Sequence, residues 1–66
     1  MTVDEAKKVK LGFYLIFWTS GGMSKALITQ DSHGTRIVTC ANWISDGHDM
    51  PLTHYAHDIE KMIFIF

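Results

Sequence analysis

The chain has 66 residues, of which 47% are hydrophobic and 20% are charged, and its formal net charge is −1. This length predicts a single domain over residues 1–66, and the composition is that of a globular chain rather than a disordered one. The near-zero net charge argues against a general electrostatic attraction to nucleic acid or to an anionic membrane. The single cysteine excludes a disulfide within the chain and favours a reducing, cytoplasmic environment.

Residues 1–8 form a polar leader that carries the signals of a short helix. Thr2 and Glu5 have the spacing of a capping box, and Asp4 and Glu5 suit the positive end of a helix. Eight residues are too few for a helix that stands alone, so a frayed leader is the alternative.

The clearest strand covers residues 9–18. Its odd positions are all apolar, whereas its even positions begin with Lys10 and become aromatic and apolar toward Trp18. Because side chains alternate between the two faces of a strand, we expect the odd set to face the core. The even residues Tyr14, Ile16 and Trp18 are then predicted to form an interface patch, since so short a chain has little material to cover a second apolar face.

Short turns rich in Gly, Asp and Ser separate the next strands. The segments 19–22 and 31–34 predict two tight reversals, so the strands 23–30 and 35–44 should pair in antiparallel fashion. Gly47 and Pro51 interrupt the pattern within a His/Asp-rich loop over residues 45–58, where 52–58 should form a short helix or 3₁₀ turn. A last apolar strand, 59–66, is predicted to return to an early strand.

The predicted fold is therefore mainly β. Consecutive antiparallel strands joined by tight turns favour a meander curled into an SH3-like half-barrel or barrel, with the helical turn before the last strand. The likeness is one of architecture only. A flat sheet with a helix on one face is the alternative.

No residue pattern predicts catalysis or a cofactor. Cys40 lies in the middle of a strand, so we expect a buried, inert thiol. A nucleophile-elbow motif is absent, and the glycines at 21 and 22 lack the spacing of a phosphate-binding loop. The protein is therefore predicted not to be an enzyme.

Three histidines, His48, His54 and His57, lie within the loop 45–58 near several aspartates. Imidazole and carboxylate groups are suitable zinc ligands, but an H-x-x-H spacing alone specifies little. Solvated side chains are the expected state, so no metal is predicted and these histidines are only weak candidates.

Aromatic and apolar side chains point to protein binding. The apolar end of the chain, "MIFIF", has no charged residue to discourage edge-to-edge pairing, so something should cover it. We predict a non-enzymatic interaction module of the inhibitor or adaptor type, of the kind that phages or plasmids carry, acting as a homodimer or with a protein partner. The predicted partner-binding residues are Tyr14, Ile16, Trp18, Trp43, Phe64 and Phe66.

Binding of single-stranded nucleic acid is the alternative function. Small β-barrels bind single strands through aromatic platforms and a basic groove, here Trp and Tyr side chains with Lys10, Lys25 and Arg36. A membrane role is not predicted, because the apolar run 11–18 is far shorter than the roughly 20 residues of a spanning helix.

Overall fold

The computed structural model describes residues 1–40 and 50–66, which form one antiparallel sheet with two short helices. The elements are helix α1 (Val3–Lys7), strands β1 (Gly12–Trp18), β2 (Met23–Gln30), β3 (Arg36–Cys40) and β4 (Met50–Pro51), a 3₁₀ helix (Leu52–Asp58), and strand β5 (Ile59–Phe64). The strand order is β4-β3-β2-β1-β5, so the last strand returns to pair with the first. The prediction of a mainly β fold with a short 3₁₀ helix before the last strand is confirmed.

The sheet is not closed, so the predicted SH3-like barrel is not confirmed. Strands β4 and β5 lie at opposite edges, and β4 consists of two residues that pair with Ile37 and Val38. The sequence did not predict β4, because Pro51 was expected to stop a strand. Proline is compatible with an edge strand, where its missing N–H need not serve the sheet.

Both predicted turns reverse the chain as expected. Between β1 and β2, the Trp18 N–H donates to the Gly22 carbonyl at 2.9 Å. Between β2 and β3, the Asp31 carboxylate accepts hydrogen bonds from the N–H groups of His33 and Thr35 at 2.8 and 3.0 Å. Gly34 has a φ of +80° in this turn, a conformation that glycine adopts at no steric cost.

The leader forms a capped helix. The Thr2 hydroxyl accepts a hydrogen bond from the Glu5 N–H at 3.1 Å, and the Glu5 carboxylate accepts one from the Thr2 N–H at 2.8 Å, which confirms the capping box. The Met1 ammonium donates to the Ile59 carbonyl at 3.2 Å. These contacts fix α1 beside the 3₁₀ helix and the start of β5, and Ala6 is fully buried there.

One face of the sheet is covered by the two helices, and the core lies between the helices and this face. The buried cluster joins helix residues to the even positions of β1 and their cross-strand neighbours. Its members are Ala6, Tyr14, Ile16, Ala26, Ile28, Val38, Cys40, Leu52, Ala56 and Ile59. We call this side the covered face.

The predicted assignment of the two faces of β1 is wrong. Tyr14 and Ile16 are 7% and 0% exposed, whereas Phe13 on the opposite face is 42% exposed. Lys10, which suggested a polar even face, lies before β1 begins, so it says nothing about the strand itself. Tyr14 and Ile16 therefore belong to the core.

Some predictions fall on residues 41–49. Trp43, His48 and the second half of the predicted strand 35–44 lie outside the described residues.

Candidate functional site

The side of the sheet opposite the helices is a largely apolar surface, which we call the open face. Cross-strand register brings its side chains together: Phe13 lies opposite Leu27, and Leu15 lies opposite Ile63. The Phe66 ring extends this surface, with its centroid 4.7 Å from that of Phe13. The open face comprises Phe13, Leu15, Phe17, Met23, Lys25, Leu27, Thr29, Ile37, Thr39, Lys61, Ile63 and Phe66.

Large apolar side chains of the open face remain in contact with solvent. Phe13 and Ile63 are 42% and 43% exposed, Met23 is 55% exposed and Phe66 is 70% exposed. Single exposed apolar residues are ordinary, but a contiguous apolar patch on one face indicates an interaction surface. Since α1 and the 3₁₀ helix both pack into the core on the covered face, neither of them shields these residues.

The open face contains a shallow cleft of about 310 Å³. Its walls are formed by Phe13, Lys25, Ala26, Leu27 and Thr39. An apolar cleft beside an exposed aromatic ring is suited to receive a side chain from another protein.

Two ammonium groups supply the charge of the open face. Lys25 lies opposite Leu15 on β2, and Lys61 lies opposite Phe17 on β5, with its Nζ 5.0 Å from the centroid of the Phe17 ring. Among the described positions of this face there is no acidic residue. The surface therefore combines apolar contact with positive charge.

The other described residues of the predicted partner-binding set lie on two different sides of the sheet. Trp18 is half-buried on the covered side, where its Nε1 donates to the Ser24 hydroxyl at 2.8 Å and its ring meets Tyr55 edge-on at 6.0 Å. Phe64 and Phe66 are exposed. The Phe64 ring packs edge-on against Tyr14 at 5.3 Å, so it lies on the covered side, and only Phe66 contributes to the open face.

The three basic residues of the nucleic-acid alternative do not share one surface. Lys25 is on the open face, whereas the Lys10 Nζ lies 4.3 Å from the centroid of the Phe64 ring on the covered side. Arg36 is on the covered side as well, where its Nε donates to the Val9 carbonyl at 2.6 Å. A continuous basic groove across β1, β2 and β3 is therefore not formed by these residues.

Arg36 does contribute to a second cleft, of about 370 Å³. Its guanidinium also donates to the Gln30 side chain and to the Gly34 carbonyl, both at 3.1 Å. These acceptor oxygens carry no net charge, so the hydrogen bonds do not neutralise the positive charge of the Arg36 guanidinium. The cleft is lined by Lys7, His33, Gly34, Thr35, Arg36 and Thr53.

Burial makes the Cys40 thiol unreactive. Cys40 is 2% exposed, as the sequence predicted, and desolvation raises the pKa of its thiol to about 11. At neutral pH the thiolate, which is the reactive form, is therefore scarce.

Two of the three histidine candidates lie on the 3₁₀ helix. His54 and His57 are exposed, and the His54 ring meets the Tyr55 ring edge-on at 4.8 Å. Within residues 1–40 and 50–66, no three His, Cys, Asp or Glu side chains come together as a metal site would require. Within these same residues, no helix is both long enough and apolar enough to cross a membrane.

Comparison of the chain with protein-family models, with curated proteins and with solved structures found no match.

The signal for the open face lies on β2 and can be used only once the register is known. A four-residue turn over 19–22 would pair Trp18 with Met23, whereas the structure pairs Phe17 with Met23, so odd positions of β1 face odd positions of β2. That register places Lys25 among the odd residues and the small, less polar Ser24 and Ala26 among the even ones. A lysine in the middle of a strand indicates the solvent side, because lysines are almost never fully buried.

Proposed function

We propose that this protein is a non-enzymatic interaction module that binds another protein through the open face of its sheet. The observation that carries the proposal is the exposure of Phe13, Ile63 and Phe66 side by side on that face. Aromatic and apolar side chains that are held on a hydrogen-bonded sheet lose little conformational entropy on binding. Such residues commonly form the central anchors of protein interfaces.

The charges of the open face indicate the chemistry of the partner. Lys25 and Lys61 would be desolvated by a bound protein, and carboxylates on that protein would compensate this cost. The partner therefore presents apolar side chains flanked by Asp or Glu. Occupying such a surface is the action of an inhibitor or adaptor, and the buried single thiol is compatible with a cytoplasmic setting.

Binding of single-stranded nucleic acid has weaker support. Its basic residues lie on two sides of the sheet, and Tyr14 is buried in the core, so it cannot stack on a base. Charge neutralisation supplies most of the affinity in that class of binding.

A pair of matched substitutions tests the proposed function. Phe13→Glu places a carboxylate at the centre of the open face, whereas Val3→Glu places the same residue on α1, away from it. Val3 is 37% exposed, close to the 42% of Phe13, so the two changes are comparable in exposure. A protein captured by the wild type is purified, and its dissociation constant is measured for all three proteins.

We expect Phe13→Glu to weaken binding by at least roughly thirtyfold, because truncating a central anchor typically costs about 2 kcal/mol or more, and Val3→Glu to leave it unchanged. NMR shift mapping with the purified partner should then mark Leu27 and Ile63. Unchanged affinity of Phe13→Glu, or shifts confined to the covered side, would refute the proposal.

A further inference from the structure

Strand β5 presents a bare backbone edge. The Ile65 N–H donates to the Phe13 carbonyl, and the Phe13 N–H donates to the Phe66 carbonyl, each at 2.8 Å. Backbone groups alternate in direction along an antiparallel strand, so Ile63 and Lys61 also face β1, whereas Met62 and Phe64 point their N–H and C=O groups outward. Within the described part of the chain no strand lies beyond β5.

We propose that β5 pairs in antiparallel fashion with β5 of a second copy of this chain, so that one continuous sheet runs through both copies. The inference goes beyond the proposed function, because it concerns the sheet edge and leaves the open face free. An exposed edge strand is a template for pairing with another chain, and residues 62–64 of β5 are apolar. The opposite edge, β4, has only two residues and offers no comparable template.

Backbone direction restricts the possible registers. Outward-pointing residues must meet outward-pointing residues, so the two-fold axis passes through a single residue position of β5, and Met62 meets Met62 of the second copy or a residue an even number of positions away. A register centred on Lys61 places two ammonium groups directly opposite each other, and one centred on Glu60 does the same with two carboxylates. Like charges in directly opposed positions are destabilising, so these two registers are disfavoured.

The register centred on Ile63 pairs Met62 with Phe64 and brings no charged groups together, whereas the register centred on Met62 creates complementary contacts. It places Glu60 of each copy opposite Phe64 of the other, and Lys61 opposite Ile63. The Lys10 ammonium already lies 4.3 Å from the centroid of the Phe64 ring, on the covered side. Glu60 of the second copy therefore arrives beside Lys10, and the two-fold symmetry produces this ion pair twice.

Glu60 is well placed for this contact. The pairing of β1 with β5 shifts between Phe17 and Trp18, which leaves Glu60 as the extra residue of a β-bulge. The bulge lies where the regular edge of β5 begins, so the two strands pair over residues 60–64 and the exposed Glu60 side chain lies at the end of the pairing.

The symmetry has a consequence for the open face. Antiparallel strands of one sheet are related by a two-fold axis that is perpendicular to the sheet. Both open faces therefore lie on the same side, and together they form a binding surface of twice the width. Two linked sites on one dimer raise the avidity for a partner that presents two matching sites.

Charge reversal at Glu60 and Lys10 tests the register and leaves the side chains of the open face unchanged. Glu60→Lys and Lys10→Glu each replace two attractive contacts with repulsive ones, and the double variant restores attraction with reversed polarity. Loss of two exposed ion pairs weakens dimerisation by roughly twofold to thirtyfold, and repulsion between the like charges weakens it further, so we expect each single variant to show at least this loss and the double variant to recover it. Sedimentation equilibrium measures the dimer constant, and both side chains are exposed, so the fold should be retained.

Amide hydrogen exchange provides the second readout. In the wild-type dimer the Met62 and Phe64 amides should be protected, and dilution to the monomer should expose them, while the Ile63 amide stays protected in both states. A protein that is monomeric at millimolar concentration would overturn the proposal. A dimer whose Met62 and Phe64 amides exchange freely, or single and double variants with equal dimer constants, would also overturn it. Loss of dimerisation with intact partner binding at Phe13 would leave the proposed function standing.

Discussion

At the scale of single residues, Gly12 determines how the end of the chain returns to β1. Its φ is +143°, and a Cβ built there would lie 2.6 Å from Cε1 of Phe64 and 2.8 Å from the carbonyl oxygen of Phe66. That carbonyl accepts the hydrogen bond of the Phe13 N–H. Glycine at this position therefore permits both the backbone conformation and the close approach that place Phe66 on the open face.

We expect Gly12→Ala to lower the free energy of unfolding by about 2–4 kcal/mol, because the strained φ and the two close contacts both oppose a Cβ. Gly21→Ala is the matched control: its φ is +102°, but nothing lies within 4 Å of the new Cβ. It should cost only the strain, about 1–2 kcal/mol. Urea unfolding of both variants measures the difference, and equal losses would show that the contacts at Gly12 are not tight.

At the scale of secondary-structure elements, the two faces of β1 decide which side of the sheet is the core and which is exposed. Neighbouring residues on it have different environments: Trp18 bonds to Ser24 and packs against Tyr55 on the covered side, whereas Phe17 lies on the open face beneath the Lys61 ammonium. Trp18 contributes to folding, and Phe17 contributes to the proposed binding surface.

Trp18→Ala should reduce the free energy of unfolding by about 2–4 kcal/mol, because it removes a half-buried indole and leaves the Ser24 hydroxyl without its donor. Phe17→Ala, one residue away, should cost less stability and weaken partner binding more. Thermal unfolding and the dissociation constant separate the two effects. If Trp18→Ala leaves stability unchanged and only weakens binding, the assignment of faces is wrong.

The elements of this fold were more predictable than their packing. The capping box at Thr2, the turn at Gly34 and the 3₁₀ helix after Pro51 depend on local geometry, which a short stretch of sequence specifies. The choice of the buried face of β1 depends on where α1 and the 3₁₀ helix dock. Since both faces of β1 are apolar, the strand alone carries no signal for that choice, and Lys25 on the neighbouring strand provides it.

At the scale of the whole molecule, residues 1–40 and 50–66 form a five-stranded sheet with helices on one side. The short helices supply enough apolar surface to cover one face, and the other face retains large apolar side chains. A chain of this size buries only about 60% of the surface exposed on unfolding, so an apolar surface left over is physically expected. Its position on a regular sheet holds these side chains in fixed positions, as the proposed binding requires.

The central claim is that the odd face of β1 is the uncovered one and is available for binding. The most direct test is NMR of the unbound protein with a soluble paramagnetic probe, at a concentration low enough to keep it monomeric. We predict strong broadening of the side-chain signals of Phe13, Leu27 and Ile63, and little effect on Ile16 and Ile28. Broadening of Ile16 together with protection of Phe13 would contradict the assignment of faces and the function proposed from it.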